Sequence, residues 1–337
     1  MNRANALAGI ARPAVATPEV SVVIVSYNTR EILRRCLARL HEEMSGLHGE
    51  VIVIDNASAD GSARMVATEF PRVTLVRSIV NLGFAAANNR GFRIASGRYV
   101  VLLNPDAFLG RGALERAVAH MQAHPRAGIA GGRLTDPQGR LQPSGRLFPS
   151  LLNEVLVTTG LSTRYPRSRL FGRFDRSWAD PEAPARVDWV PGAFTIVRND
   201  LLESLGGFDE RFFLYYEEVD LCRRVREAGY EVWYWPDISV THIGGASSKT
   251  VTKLELSGAG SQLSLWQLRS AMLYYRKHHG RLAAWAVAAA ESAWHGLRQI
   301  AHARNPVKRE SSRRRLRLIR QAWTDTAGGR LCPPRPW

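Results

Sequence analysis

The feature that most constrains this chain is a recurring unit: a short apolar run that ends in a polar residue and a turn. The clearest case is Val100-Val101-Leu102-Leu103-Asn104-Pro105-Asp106. Such a continuous run reads as a strand covered on both faces, as in a parallel sheet. Proline lacks the N–H that the ladder needs, so it ends the strand. Asp106 is thereby held just past the strand's carboxyl end, where open α/β sheets bind ligands. A carboxylate there suits a hard cation such as Mg²⁺ or Mn²⁺, and through it a diphosphate. A plain Pro-Asp turn explains the same residues, so the unit has to be weighed with its neighbours.

Those neighbours repeat it. Ser21 to Val25 runs into Ser26-Tyr27-Asn28, and Arg30 to Met44 follows with helical spacing at Leu33, Leu37 and Leu40. Val51 to Ile54 runs into Asp55-Asn56-Ala57-Ser58, with a helix to about Phe70. After Val73 to Val76, Asn81-Leu82-Gly83-Phe84 opens a helix carrying Asn88 and Asn89, and another helix covers about 112–123. This alternation predicts an α/β fold with a parallel, doubly wound sheet flanked by helices. Parallel strands put their carboxyl ends on one rim, so Asn28, Asp55, Asn56, Asp60, Asn81 and Asp106 are expected around one cleft. Neither G-x-G-x-x-G nor G-x-x-x-x-G-K occurs, which disfavours dinucleotide and P-loop sites.

After Ile129 the alternation fails. Residues 143–186 read as an irregular loop on the acceptor side, and Val187 to Phe194 as a strand kinked at Pro191-Gly192. Asn199 is placed to cap a short helix. Glu217, Glu218 and Asp220 fall in the first turn of a helix running to about Ala228. A helix N-terminus alone favours carboxylates. The aromatic residues just before them offer a second reading, because an apolar wall raises a carboxylate's pKa toward that of a general base. Val232 to Trp235 and Ile238 to His242 read as strands, and His242 precedes Gly244-Gly245. That histidine is either structural or a metal or phosphate contact.

Charge separates the C-terminal quarter from the rest. Of a formal charge of +16, most lies in residues 261–337, where fifteen Lys/Arg face only Glu291, Glu310 and Asp325. The expected plan is a flexible leader over 1–18, an α/β domain over 19–248 and an amphipathic, helical, basic region over 249–337. The last region suits an anionic membrane surface, or else a helix pair packed on the domain. Nucleic acid is disfavoured, because the charge forms a tail without interleaved stacking aromatics. Cys36, Cys222 and Cys332 match no metal spacing and fit a reducing compartment. No run of 18 apolar residues occurs, and Arg12-Pro13 breaks the N-terminal apolar stretch, against a secretory signal.

Six segments in this order and spacing resemble the family 2 glycosyltransferases, and most closely their bacterial rhamnosyltransferase-like branch. They are Val23 to Asn28, Ile54 to Ser58, Asn81 to Ala85, Leu103 to Asp106, Gly206 to Glu210 and Glu217 to Asp220. The resemblance, over about 20–248, implies a GT-A fold: a Rossmann-like, mostly parallel sheet flanked by helices. It also implies a nucleotide-sugar donor, foremost dTDP-rhamnose with UDP- or GDP-sugars as alternatives, a divalent cation, and transfer with inversion. By position, Asp55 would hold the pyrimidine base and ribose with Ser26 and Asn28. Asn56, Asn81, Gly83, Asn88, Asn104 and Asp106 would complete the donor site. The family's D-x-D metal motif reads Asn104-Pro105-Asp106 here, leaving one carboxylate, so His242 becomes the supplementary ligand. Glu218 would be the base, with Glu217 as runner-up. Trp189, Gly192 and Asp220 would shape the acceptor pocket, Trp189 as a stacking platform or simply as core. The implied acceptor is a saccharide or a polyprenyl-diphosphate-linked sugar in cell-surface polysaccharide synthesis. The implied place is cytoplasmic, on the inner face of the bacterial plasma membrane. A non-catalytic nucleotide-sugar-binding module is the rival reading.

Overall fold

A computed structural model describes residues 18–245, 259–333 and 335. Nearly all of the expected leader, and the expected boundary at 248/249, lie outside the described residues.

β1 (Val20–Ser26), α1 (Arg30–Glu43), β2 (Gly49–Asn56), α2 (Ser62–Glu69), β3 (Thr74–Ser78), α3 (Phe84–Phe92) and β4 (Tyr99–Leu103) follow the expected alternation. Pairings β3–β2, β2–β1 and β1–β4 are parallel. Every residue of β1 and β4 is buried, because helices cover both sheet faces. Val22 and Ile24 enter one apolar cluster and Val23 and Val25 the other, as the alternation of strand side chains requires. Leu33, Cys36, Leu37 and Leu40 form the buried stripe of α1. A Cβ on Gly91 would lie 2.4 Å from Val23 Cγ1, so glycine is what lets α3 sit close on β1.

Next come β5 (Ala107–Leu109), α4 (Ala113–Ala123), β6 (Ala127–Thr135) and β7 (Leu141–Gln142). From here the sheet is mixed. β9 (Phe194–Arg198) enters antiparallel between β4 and β6, while β10 (Glu231–His242) runs parallel to β6 and antiparallel to β5. The two strands expected at 232–235 and 238–242 are thus one strand, with a register shift between Trp235 and Ser239. The strand expected over 187–194 begins only at Phe194. Upstream, Asp188 accepts from the Phe148 N–H at 2.8 Å and pairs with Arg226, while Trp189 makes a single bridge to Arg146. Residues 143–186 also hold more order than expected: α5 (Leu151–Thr158), α6 (Leu161–Arg164) and β8 (Ala185–Arg186). Ser150 caps α5 by accepting from the Asn153 N–H. α7 (Asn199–Ser204) starts where expected, but Asn199 does not cap it; its Nδ2 donates to the Ala95 carbonyl.

α8 (Glu217–Glu227) is held from three sides. α9 (Ala259–Ala301), broken at Gly280 with φ +83°, and α10 (Pro306–Asp325) close the described chain. In the region expected to be amphipathic, Leu265, Leu268, Met272 and Tyr275 recur at helical spacing, a stripe open to lipid if it faced outward. It is buried instead, with Tyr274 and Tyr275 in the main core and Leu265, Leu268 and Met272 against Leu318 and Ile319 of α10. Past Gly280, Leu282, Trp285, Leu297 and Ile300 are exposed. No described helix is long and apolar enough to cross a membrane.

The bolt between α8 and α9 is Asp220, fully buried. Its Oδ2 accepts from Arg224 Nε at 2.8 Å, and its Oδ1 contacts Lys277 Nζ at 2.6 Å and His278 Nε2 at 2.7 Å. Burial pushes this carboxyl up, but contacts from His278, Arg224 and Lys277 outweigh it and hold it below its ordinary value. A depressed carboxylate stabilises the fold above its unfolded pKa and loses that contribution as pH falls through its folded one. Asp220→Asn, which strands buried cations, should destabilise the chain by about 3–5 kcal/mol. It should also weaken the steepening of acid unfolding below about pH 4; chemical denaturation at several pH values measures both.

Candidate active site

The carboxyl ends of β1, β2 and β4 form one rim, and most of their polar residues act on each other. Asn28 sits in the left-handed region at φ 52°. Its N–H donates to Ser58 Oγ and its Oδ1 accepts from the Ala59 N–H, lacing the loops after β1 and β2 together. Ser26 is buried with its hydroxyl on Thr29. Asn56 donates to Asn81 Oδ1 at 2.9 Å and accepts from the Leu82 N–H at 2.8 Å, and so fixes the loop into α3. Asn88 is turned back on its own helix, donating to the Phe84 carbonyl. Ser26, Asn56 and Asn88 are buried and spend these groups on the rim, whereas Asn28 is only half-buried. Gly83, at φ +83°, lies where a Cβ would meet Phe213 at 2.4 Å, so it admits the aromatic turn before α8.

Asp55 differs. It is buried at the end of β2, Oδ2 accepts weakly from the Ser58 N–H at 3.4 Å, and Oδ1 has no hydrogen-bond partner. Burial pushes its carboxyl up, with hydrogen bonds from Ser58 and the charge of Arg77 opposing. A buried acceptor with an unmet hydrogen bond is costly unless a donor arrives. It is suited to a ribose hydroxyl or a ring N–H.

Asp106 and His242, remote in sequence, meet across the β5–β10 pairing. His242 Nε2 lies 3.5 Å from Asp106 Oδ1. Its Nδ1 donates to Gln142 Oε1 at 3.0 Å, while Gln142 Nε2 donates to the His242 carbonyl at 2.9 Å. This clamp leaves the Nε2 lone pair toward the carboxylate, the outer-shell arrangement typical of metal-binding imidazoles. No cluster of three or more His, Cys, Asp or Glu suited to a metal exists among the described residues. Two donors fit a cation completed by water and substrate phosphate oxygens.

Glu217 and Glu218 follow Tyr215 and Tyr216, both in the left-handed region at φ 70° and 69°. Strain of that kind persists only where surroundings enforce it. The Oε2 of each glutamate is sealed from solvent without a partner. Burial, then the neighbouring Glu218 charge, pushes Glu217 well above its ordinary value; burial also raises Glu218, but the Arg146 guanidinium opposes it. Arg146 lies over the rings of Phe174 and Trp189, 4.6 and 4.7 Å from their centroids, and pairs with Asp175. Backbone hydrogen bonding at the helix start, and then this cation, hold Glu218 below the level that burial alone would give it.

Trp189 is buried, donates to the Leu147 carbonyl and carries Arg146 on its face, so it is not an open stacking platform. Asp220 is the buried bolt to α9, not an acceptor contact. A chain of contacts joins the two acidic centres. The Asn104 N–H donates to the Ala193 carbonyl, Gly192 lies against Phe84, and the Phe84 N–H donates to the Phe213 carbonyl, four residues before Glu217. Sequence reasoning missed Arg146 and Gln142 and gave Asn89 no task. Asn89 exchanges hydrogen bonds with both backbone groups of Phe208 and so fastens the loop before α8.

The model of glycosyl transferase family 2 matches residues 21–178. An N-acetylglucosaminyl-diphospho-decaprenol L-rhamnosyltransferase of Mycobacterium tuberculosis is 32% identical over 238 residues, 67% of this chain and 76% of that protein. The chain belongs to glycosyl transferase family 2. Rhamnosyltransferase WbbL of Escherichia coli K12 is 24% identical, covering 76% of this chain and 92% of that one. Among solved structures, the mannosyltransferase PcManGT of Pyrobaculum calidifontis, with GDP-Man and Mn²⁺, aligns at TM-score 0.57 and 18% identity. It covers 93% of this chain and 88% of its own, and supports the GT-A fold. This family 2 chain is therefore a glycosyltransferase of the rhamnosyltransferase-like kind.

The carboxylate pair makes a titration prediction. Glu218 should ionise above the ordinary carboxylate range, and Arg146→Met should move that ionisation to still higher pH. Carbon-detected NMR of labelled glutamate tests this; an unchanged titration would remove Arg146 from the role.

Proposed function

We propose that this glycosyltransferase transfers a sugar, foremost rhamnose from dTDP-rhamnose, to a polyprenyl-diphosphate-linked saccharide at an anionic membrane surface, with inversion. The observation that carries the site assignment is a pair of carboxylate oxygens sealed from solvent without a partner, Oδ1 of Asp55 on the donor rim and Oε2 of the half-buried Glu218. Asp55 Oδ1 receives a donor N–H or hydroxyl of the nucleoside. Glu218 accepts the acceptor hydroxyl's proton while that oxygen bonds to the anomeric carbon and the bond to the diphosphate breaks on the opposite face. Asp106 and His242 would hold a divalent cation, which when bound offsets charge on the diphosphate. Mn²⁺ is present in the PcManGT structure, and the two donors here suit Mg²⁺ or Mn²⁺. The decaprenyl-linked acceptor named for the mycobacterial relative supports the acceptor class. The exposed arginines of α10, including Arg313, Arg314 and Arg317, support attraction to the anionic inner leaflet.

Glu218→Gln should lower kcat by about 10²–10⁴ with donor affinity intact, whereas Asp55→Ala should abolish donor-induced thermal stabilisation. Thermal shifts with dTDP-rhamnose, UDP-sugars and GDP-mannose, each with and without Mn²⁺, identify the donor. Full activity of Glu218→Gln would refute its role as base.

A further inference from the structure

Residues 147–174 leave the catalytic domain and return to it at a single stem. At the stem Arg146 pairs with Asp175, the Leu147 N–H donates to the Phe174 carbonyl at 2.9 Å, and the Arg146 guanidinium lies between Phe174 and Trp189. The excursion is α5, α6 and the turns after them. Its inner side is fixed: Glu154 Oε1 accepts from Tyr275 at 3.0 Å and from Tyr216 at 3.3 Å, the residue just before Glu217. Its outer side is apolar and basic. Leu151, Leu152, Val155, Tyr165 and Leu170 are between 37% and 52% exposed. Leu151, Leu152 and Val155 share one face of α5 by helical spacing. Arg164, Arg167 and Arg169 are exposed and have no acidic partner among the described residues, and 155–174 contains four arginines and no acidic residue.

We propose that this arm, more than the exposed arginines of α10, is the surface that docks the enzyme on an anionic bilayer. Apolar side chains rimmed by arginine fit the headgroup boundary, where leucine and tyrosine insert and guanidinium groups meet lipid phosphates. The stem ends at Arg146, whose charge acts on Glu218, and Glu154 of the arm holds the residue before Glu217, so a docked arm brings the base toward the membrane plane in which a lipid-linked acceptor diffuses. The inference rests on the lipid-linked acceptor proposed above.

Its test uses the full chain, vesicles with and without phosphatidylglycerol, and two acceptors: one long-chain and vesicle-embedded, one short-chain and soluble. Arg164→Ala/Arg167→Ala/Arg169→Ala should lower binding to anionic vesicles about a hundredfold, at roughly fivefold per basic residue. It should lower turnover of the embedded acceptor and leave that of the soluble one unchanged. Leu152→Asp should do the same independently. Arg313→Ala/Arg314→Ala/Arg317→Ala should have the smaller effect. Wild-type affinity in both arm variants, or loss only in the α10 variant, would overturn the proposal. Turnover of neither acceptor by the wild-type chain would instead strike the lipid-linked reading.

Discussion

Everything at this site depends on keeping one carboxylate oxygen of each of two adjacent glutamates sealed from solvent at the start of one helix. A carboxylate pair there would rehydrate and lose its tuning if α8 could shift, so the chain fixes α8 from several directions. Asp220 joins it to α9 through Lys277 and His278. Arg224 reaches back to the carbonyls of Leu205 and Gly207, and Asn89 on α3 holds the loop those carbonyls belong to. Tyr216 is held through Glu154 to α5. The first half of α9 is thus part of what makes the pocket rigid, and its Tyr274 and Tyr275 lie in the main core.

The parallel half of the fold was legible because its signal is local. Four apolar runs with turn residues behind them specify β1 to β4, and the stripe Leu33, Leu37, Leu40 specifies α1. The rim was legible for the same reason. What each rim residue does was not. Asn56, Asn28 and Asp55 look alike as strand-end polar residues, and only their partners separate two that lace loops from one left with an unmet acceptor. Asp220 was misread for a related cause: its partners Lys277 and His278 lie more than fifty positions away. β9 was misplaced because Val187 to Val190 has a strand's composition, yet Asp188 and Trp189 are committed to Arg146, Arg226 and Phe148. The family resemblance singled out Asp106 and Glu218 as expectations and a strand-end position singled out His242, but neither gave a hint of Arg146 or Gln142, whose contacts are set by geometry alone.

Arg146 illustrates how one side chain can decide between two chemically identical neighbours. Glu217 and Glu218 share a helix turn, a solvent-poor wall and a strained approach. A guanidinium that lies over two aromatic rings and pairs with Asp175 opposes the rise of Glu218 and not that of Glu217, and that asymmetry separates how strongly burial raises the two. The separation of pKa values between paired acids is a common way to divide labour in an active site.

The irregular stretch in β10 has a consequence for how such sites change over time. Between Trp235 and Ser239 the strand carries three residues that have no counterpart in β6, and side chains beyond them point according to that surplus. Removing one residue there would reverse the facing of every later position in the strand, turning the imidazole of His242 away from Asp106 with every acid, amide and ring of the site still in place. Were Asp106 and His242 to hold a cation as proposed, its affinity would depend on the length of this segment as well as on residue identity.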